Sequence, residues 1–380
     1  MRITHAGWFQ MDGVHGTHHA LWQLARAQAR AGHDVSIVNL GWQVSPADVA
    51  RARAEGVRLL GVDCPQWRGH RGDHEGRLAR CIDALAPDVV HLQYVRIPRF
   101  AGFASVLRAL RVPYVVSLHG GMKHAEMQRH RLRKLAYWRL VERAVHRGAS
   151  GLHFVSEQER DEYRDDFGVA HAADAVVPNV VEPQGKACWK GVIRSDAPAL
   201  VSLGRYDVWH KGLDLAAAMV RGLRRRGIQA ALHLHGAAVG RFEAQMNRLR
   251  VEFADLPIVD GGVVAGPDKL ARVAAHDLYL QYSRFELFGM ALVEALSCGV
   301  PVALSERCDL ARPLAAEDAA VVLPIDPDAA ADVMAERLRD ARGLADLAER
   351  GHGWWRRNCR ADVVVDRMTQ FYATALATAA

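Results

Sequence analysis

The chain has 380 residues, 50% hydrophobic and 24% charged, which is globular composition and enough length for two or three domains with cores of their own. No stretch approaches the roughly 20 apolar residues of a membrane span. Residues 1–8 lack the apolar run of a secretion signal, and the six cysteines show no C-x-x-C or metal-ligand spacing, so a cytoplasmic protein with reduced thiols is expected.

The first loop runs Asp12-Gly13-Val14-His15-Gly16-Thr17-His18-His19. Gly16, just before a helix, permits close backbone approach to an anion. His15, His18 and His19 have no carboxylate or cysteine partner there, so no metal site is expected. Apolar residues at helical spacing predict a helix over Leu21 to Ala31, closed by Gly32, and Val35 to Leu40 predicts a strand. Asp88 to Gln93, Val112 to Leu118, Gly151 to Ser156 and Ala175 to Pro178 read as further buried strands.

His119 closes the third of these strands and is followed by Gly120-Gly121. At the C-terminal end of a strand it would face a ligand cleft, where it could bond a sugar hydroxyl or a carbonyl of its own loop. From Lys123 to Arg147 stand eight lysines and arginines against Glu126 and Glu142, interleaved with Leu132, Leu135, Tyr137, Trp138 and Leu140. Such a basic helix is a candidate for an anionic membrane surface. The competing reading is a helix with one core face and one solvated basic face.

Residues 182–197, rich in Pro, Gly and charge, predict a linker. A second series of strands follows: 199–203, 231–235, 278–282, 300–304 and 320–324. The fold class is α/β, with two doubly wound, Rossmann-like domains and a ligand cleft between them. The expected boundaries are 1–181 for the first domain, 182–197 for the linker and 198–358 for the second domain. A last helix within 359–380 packs back on the first domain.

In the second domain Gly204-Arg205 and Lys211-Gly212 place two cations on one loop, suitable counter-charges for a diphosphate. Further on, Glu286 and Glu294 stand eight positions apart around Phe288-Gly289-Met290. With a helix starting near Phe288, Glu294 lies about 9 Å along its axis and Glu286 in the loop before it. The carboxylates would hold hydroxyls at two ends of an elongated ligand, with a phosphate at the helix start. Two solvated glutamates on an ordinary βα unit are the alternative. Asp326-Pro327-Asp328 reads as a helix cap rather than as a metal–diphosphate motif.

Taken together these residues resemble the retaining glycosyltransferases of the GT-B fold, family four, also called the group 1 family. The matching features are Gly16 eight residues before Leu24-Ala25, Gly32-His33, Asp88 to His91, His119-Gly120, Pro178-Asn179, the Gly204 to Gly212 loop and the E-x7-E segment. The resemblance implies that Glu294 binds the ribose and Glu286 the donor sugar. It implies that Arg205 and Lys211 neutralise the diphosphate, aided by backbone N–H groups of Phe288, Gly289 and Met290. His119 would touch the donor sugar, and Gly16 would border the acceptor. It further implies a nucleotide-diphosphate sugar as donor, retention by same-face attack, and no required metal or cofactor. The sequence departs from the family at His15, Gln93, Val180 and Leu287.

The expected function is hexosyl transfer to a saccharide or lipid-linked acceptor in bacterial surface polysaccharide or glycolipid assembly. The expected place is the cytoplasm, peripheral on the inner face of the plasma membrane, with no nucleic-acid partner. A GT-B sugar-nucleotide epimerase would need further acid/base carboxylates. A catalytically silent, membrane-associated scaffold is disfavoured by the intact Arg205, Lys211, Glu286 and Glu294.

Overall fold

The computed structural model describes residues 1–11, 16–41, 43–62, 74–128, 130–183, 188–191, 197–264 and 266–379. Asp12 to His15 of the first loop, and 184–187 and 192–196 of the expected linker, therefore lie outside the described residues. The chain forms two compact units: Met1–Val180 with Ala361–Ala380, and Val181–Arg360.

The first unit is built on seven strands: β1 (Arg2–Gly7), β2 (Asp34–Leu40), β3 (Val57–Val62), β4 (Val89–Gln93), β5 (Tyr114–Ser117), β6 (Gly151–Phe154) and β7 (Ala175–Val176). All pairings are parallel, in the order β3-β2-β1-β4-β5-β6-β7. Every residue of β4 and β5 is buried, as expected of strands covered on both faces by crossover helices. β1 and β3 are not legible as strands from their composition. The central β1 carries Thr4 and His5, both buried, where an apolar run would be sought. The edge strand β3 alternates, with Arg58 exposed. The helix Gly16–Arg30 begins ahead of Leu21, because its first turn, Gly16 to His19, is polar and carries no apolar period.

The last helix, Ala361–Ala379, belongs to the first unit. Its Val364, Met368, Phe371 and Tyr372 pack in one cluster with Ile3, Leu24, Val89 and Val115.

The basic segment is not one helix. It breaks into helices His124–Gln128, Arg131–Tyr137 and Arg143–Arg147, with a π-helical turn, Trp138–Glu142, between the last two. His130 takes the left-handed conformation (φ +60°), which interrupts helical continuity. Trp138 is buried, edge-on to Phe167 at 4.8 Å between ring centroids. Lys123 is also buried and pairs with Glu162 at 3.2 Å. Arg131, Arg133, Arg139, Arg143 and Arg147 are exposed. Leu132 and Leu140 are each 83% exposed, so the outer face is not purely basic.

The second unit has six parallel strands: β8 (Ala199–Leu203), β9 (Ala231–His235), β10 (Ile258–Asp260), β11 (Leu278–Gln281), β12 (Val302–Ser305) and β13 (Val321–Leu323), ordered β10-β9-β8-β11-β12-β13. The three-residue edge strand β10 is too short to leave a periodic signature. The Asp326 carboxylate caps the helix Pro327–Arg339 by accepting from the Ala329 N–H at 2.9 Å, so its role is structural. Among the described residues no helix is long and apolar enough to cross a membrane.

Both sheets reverse their strand order once, between β1 and β4 and between β8 and β11. In open parallel sheets the loops leaving the C-terminal ends of the two strands at such a point diverge and leave a crevice. In the second unit those loops are 204–212 and 282–289, the two that carry the candidate residues.

Candidate active site

After β8 the chain turns through Gly204 and Arg205 into the single helical turn Val208–Lys211, capped by Asp207, whose carboxylate accepts from the His210 N–H at 3.2 Å. Gly212 follows with φ +62°, and a Cβ there would stand 2.0 Å from the carbonyl oxygen of Tyr282. Only glycine permits that approach, which gives the Lys-Gly pair its physical reason.

The loop is clamped across the end of β11. His210 stacks on Phe285, ring centroids 4.1 Å apart, and its Nε2 donates to the Phe285 carbonyl at 3.0 Å. Burial, with Lys211 beside it, lowers the His210 pKa and keeps the ring neutral. The Arg284 N–H donates to the His210 carbonyl at 3.0 Å. The Arg284 guanidinium holds Asp214 through two bonds of 2.8 and 2.7 Å.

This clamp brings Lys211 onto Glu286. The Lys211 Nζ donates to Glu286 Oε2 at 2.5 Å. The same oxygen accepts from Gln281 Nε2 at 3.2 Å and Ser283 Oγ at 3.3 Å. Burial works to raise the Glu286 pKa, but the Lys211 ammonium outweighs it and holds the carboxyl below its usual range.

Phe288 is buried, and Gly289 (φ +65°) begins the helix Met290–Ser297, whose N-terminus has no capping side chain. A Cβ at Gly289 would lie 3.4 Å from Glu286 Cγ, so the helix start and the carboxylate are neighbours. First-turn N–H groups without a side-chain cap favour an anionic oxygen. Glu294 is buried within this helix and forms an ion pair with Lys269.

Arg205 shares the loop of Lys211 but is exposed, and no hydrogen bond or ion pair of its guanidinium is found among the described residues. A Cβ at Gly204 would stand 3.7 Å from Lys211 Cε, so the loop start and the lysine stem run side by side.

The other two candidates lie in the first unit. Gly16 is the exposed first residue of its helix. His119 sits in the left-handed conformation (φ +47°) just past β5. Its partner is not a carbonyl of its own loop: Nε2 meets the side-chain Oε1 of Gln93 at 2.8 Å. Burial, with His153 and His5 close by, lowers its pKa to about 3. A cavity of about 10 Å³, lined in part by His119, Gln93, His153 and Asn179, lies beside it. That volume suits a single water.

Sequence reasoning missed the supports of these residues. Gln281, Ser283, Arg284 and Phe285 flank Glu286 without forming a motif. Lys269 is 25 positions from its partner Glu294. His91 was legible as the end of the Asp88 to His91 match and His153 as a polar residue within an apolar strand, whereas His5 lies on β1, which left no strand signature. Among the described residues no group of histidines, cysteines, aspartates and glutamates is placed to hold a metal ion.

Residues 15–180 match the family model of the glycosyl transferase 4-like domain, and residues 197–340 match that of the glycosyl transferases group 1. No curated protein matches the chain by sequence. Among solved structures it is similar to sucrose-phosphate synthase from Thermosynechococcus elongatus, at 18% identity and TM-score 0.74, covering 98% of this chain and 99% of that one. HepE of Anabaena, solved with UDP and glucose, gives 16% identity and TM-score 0.72 over 97% of this chain and 98% of that one. WaaG, a glycosyltransferase involved in lipopolysaccharide biosynthesis, gives 15% identity and TM-score 0.66 over 97% and 98%. At such identities the structural likeness bears on the fold, and the fold is GT-B. The two family matches together take in most of the chain, and the chain belongs to the group 1 glycosyltransferases.

Proposed function

We propose that the protein transfers a hexosyl group, with retention, from a nucleotide-diphosphate sugar to a saccharide or lipid-linked acceptor hydroxyl. The observation that carries this reading is the Lys211–Glu286 pair beside the uncapped start of the helix that bears Glu294. Arg205 and Lys211 neutralise the diphosphate, and the backbone N–H groups from Phe288 to Met290 bind its oxygens. Glu286 accepts from hydroxyls of the donor sugar, and Glu294 from those of the ribose. Cleaving the glycosyl–phosphate bond creates an oxocarbenium-like centre and extra charge on the leaving group. Fixed cations and oriented N–H dipoles stabilise that charge without reorganising. The acceptor hydroxyl attacks from the face the phosphate leaves, passing its proton to a phosphate oxygen. His119 holds a sugar hydroxyl, and Gly16 borders the acceptor. No metal or cofactor takes part. The structures of HepE with UDP, with UDP and glucose, and with UDP-glucose support a nucleotide-sugar donor.

The acceptor is proposed to lie at an anionic membrane, on the cytoplasmic face, in surface polysaccharide or glycolipid assembly. Supporting this is the pair of outward leucines, Leu132 and Leu140, among the exposed Arg131, Arg133, Arg139 and Arg143.

Stereochemistry tests the reading. With an α-linked nucleotide sugar and no acceptor, slow hydrolysis should release the α-anomer first, read by proton NMR, and chelators should leave the rate unchanged. First release of the β-anomer would overturn retention.

A further inference from the structure

The first unit holds a buried run of polar side chains of which the proposed reaction uses only the last, His119. At one end the Nε2 of His153 lies 2.8 Å from the carbonyl oxygen of Val177. A carbonyl only accepts, so His153 donates through Nε2, and its Nδ1 is an acceptor. Ser117 Oγ, at 2.5 Å from that Nδ1, must donate to it. The Ser117 oxygen is then free to accept from His91 Nε2 at 2.6 Å. His91 Nδ1 in turn accepts from the Tyr372 hydroxyl at 2.8 Å.

The order continues without a break. Tyr372 oxygen accepts from Gln28 Nε2 at 3.2 Å, and Gln28 Oε1 accepts from His5 Nε2 at 2.7 Å. His5 Nδ1 accepts from Gln93 Nε2 at 2.9 Å, and Gln93 Oε1 accepts from His119 Nε2 at 2.8 Å. Running every bond the other way would press a lone pair of His153 against the lone pairs of the Val177 oxygen. Only one direction satisfies all members, and aligned bonds of this kind polarise one another.

We infer that the Val177 carbonyl sets the direction of the whole chain, so that His119 meets its ligand as a neutral imidazole with Nδ1 as the acceptor, and that Gln93 and Tyr372 are its positioning residues. His119 Nδ1 has no partner among the described residues. A lone pair there accepts from a hydroxyl and repels a carboxylate or phosphate oxygen. The ligand chemistry assigned to this ring is therefore a neutral sugar hydroxyl, which rests on the glycosyltransferase reading above. Tyr372 comes from the last helix, so the C-terminus of the chain closes a circuit that ends beside β5.

The test is histidine nitrogen NMR on the full chain, assigned with single histidine variants. At pH 7 His5, His91, His119 and His153 should all show a protonated Nε2 and a bare Nδ1. A proton on His119 Nδ1 would overturn the inference. The Gln93→Glu carboxylate can only accept, so it should draw a proton onto His5 or His119. That should introduce an ionisation between pH 5 and 8 in kcat/KM, absent from the wild type. Tyr372→Phe cuts the chain between the Val177 anchor and His119, so His153 and His91 should keep their protonated Nε2 while His5 and His119 are released into tautomer mixtures. Unchanged imidazole spectra and an unchanged pH profile in a folded variant of either kind would remove the positioning role. If no nucleotide sugar is turned over at all, the functional reading falls, and the wild-type spectra alone decide the hydrogen-bond direction.

Discussion

Lys211 and Glu286 are held together at 2.5 Å by two loops that leave neighbouring parallel strands, β8 and β11, at the point where the sheet reverses its order. Each is largely shielded from water, and each is the main neutraliser of the other. Under the proposed function, a donor must enter this pair, presenting hydroxyls to Glu286 and phosphate oxygens to Lys211. The free protein thus keeps both charges oriented before the donor arrives.

Lys211→Ala should lower turnover by roughly one to three orders of magnitude, the cost of losing one charge partner of a transition state. It should also lower the melting temperature, because it leaves the Glu286 carboxylate largely buried with no counter-charge. Steady-state kinetics and thermal unfolding read the two effects. Turnover near wild type would remove Lys211 from the leaving-group site.

Acid should unfold the first unit ahead of ordinary carboxylate titration. Burial lowers the pKa of His5 and His153 to about 4 and of His119 to about 3, and puts His91 well below its usual value. Unfolded, each returns to about 6.5. Between those values the unfolded chain binds more protons than the folded one. Stability is therefore full above pH 6.5 and falls as pH drops toward 4, at up to about 1.4 kcal/mol per pH unit for each group. A melting temperature that is flat from pH 7 to 5 would contradict this.

Glu142, on the π-helical turn, works in the opposite sense. Burial raises its pKa to about 7, although it accepts from the Arg96 N–H and lies near the Arg96 charge. The folded value lies above the unfolded one, so ionising it at high pH costs stability. Glu142→Gln should leave stability unchanged below about pH 4.5 and raise it progressively to pH 7 and above. Melting curves of the two proteins at pH 4 and pH 8 check the sign.

Replacing Leu132 and Leu140 with serine should weaken sedimentation with anionic vesicles and leave donor binding unchanged. Replacing Arg131, Arg133 and Arg139 with glutamine should act in the same way, losing about 1 kcal/mol of attraction per charge near the surface. A wild type that never binds such vesicles would end the membrane proposal.

Much of this was legible from sequence because parallel strands buried on both faces leave apolar runs that need no partner to be recognised. β8 and β9 follow their runs residue for residue. β1 escaped because its interior positions are filled by Thr4 and His5, and His5 meets its partners Gln28 and Gln93 only in the folded state. The E-x7-E spacing and the Lys211-Gly212 pair stood out because a tight turn and a helix start restrict residue choice locally. Their supports did not, since Arg284, Phe285, Lys269 and Gln93 gain meaning only from partners distant in sequence. The basic segment misled in another way. Composition reported its charge, but the break at His130 and the π-turn decided which leucines face outward.

The most direct test of the central claim is calorimetric titration of UDP-, GDP- and ADP-sugars into the wild type, Lys211→Ala and Glu294→Ala. At least one nucleotide sugar should bind the wild type. Both variants should bind it about ten- to hundredfold more weakly, the loss expected when one charged hydrogen-bond partner is removed. Equal affinity in all three proteins, or no binding by the folded wild type, would contradict the account.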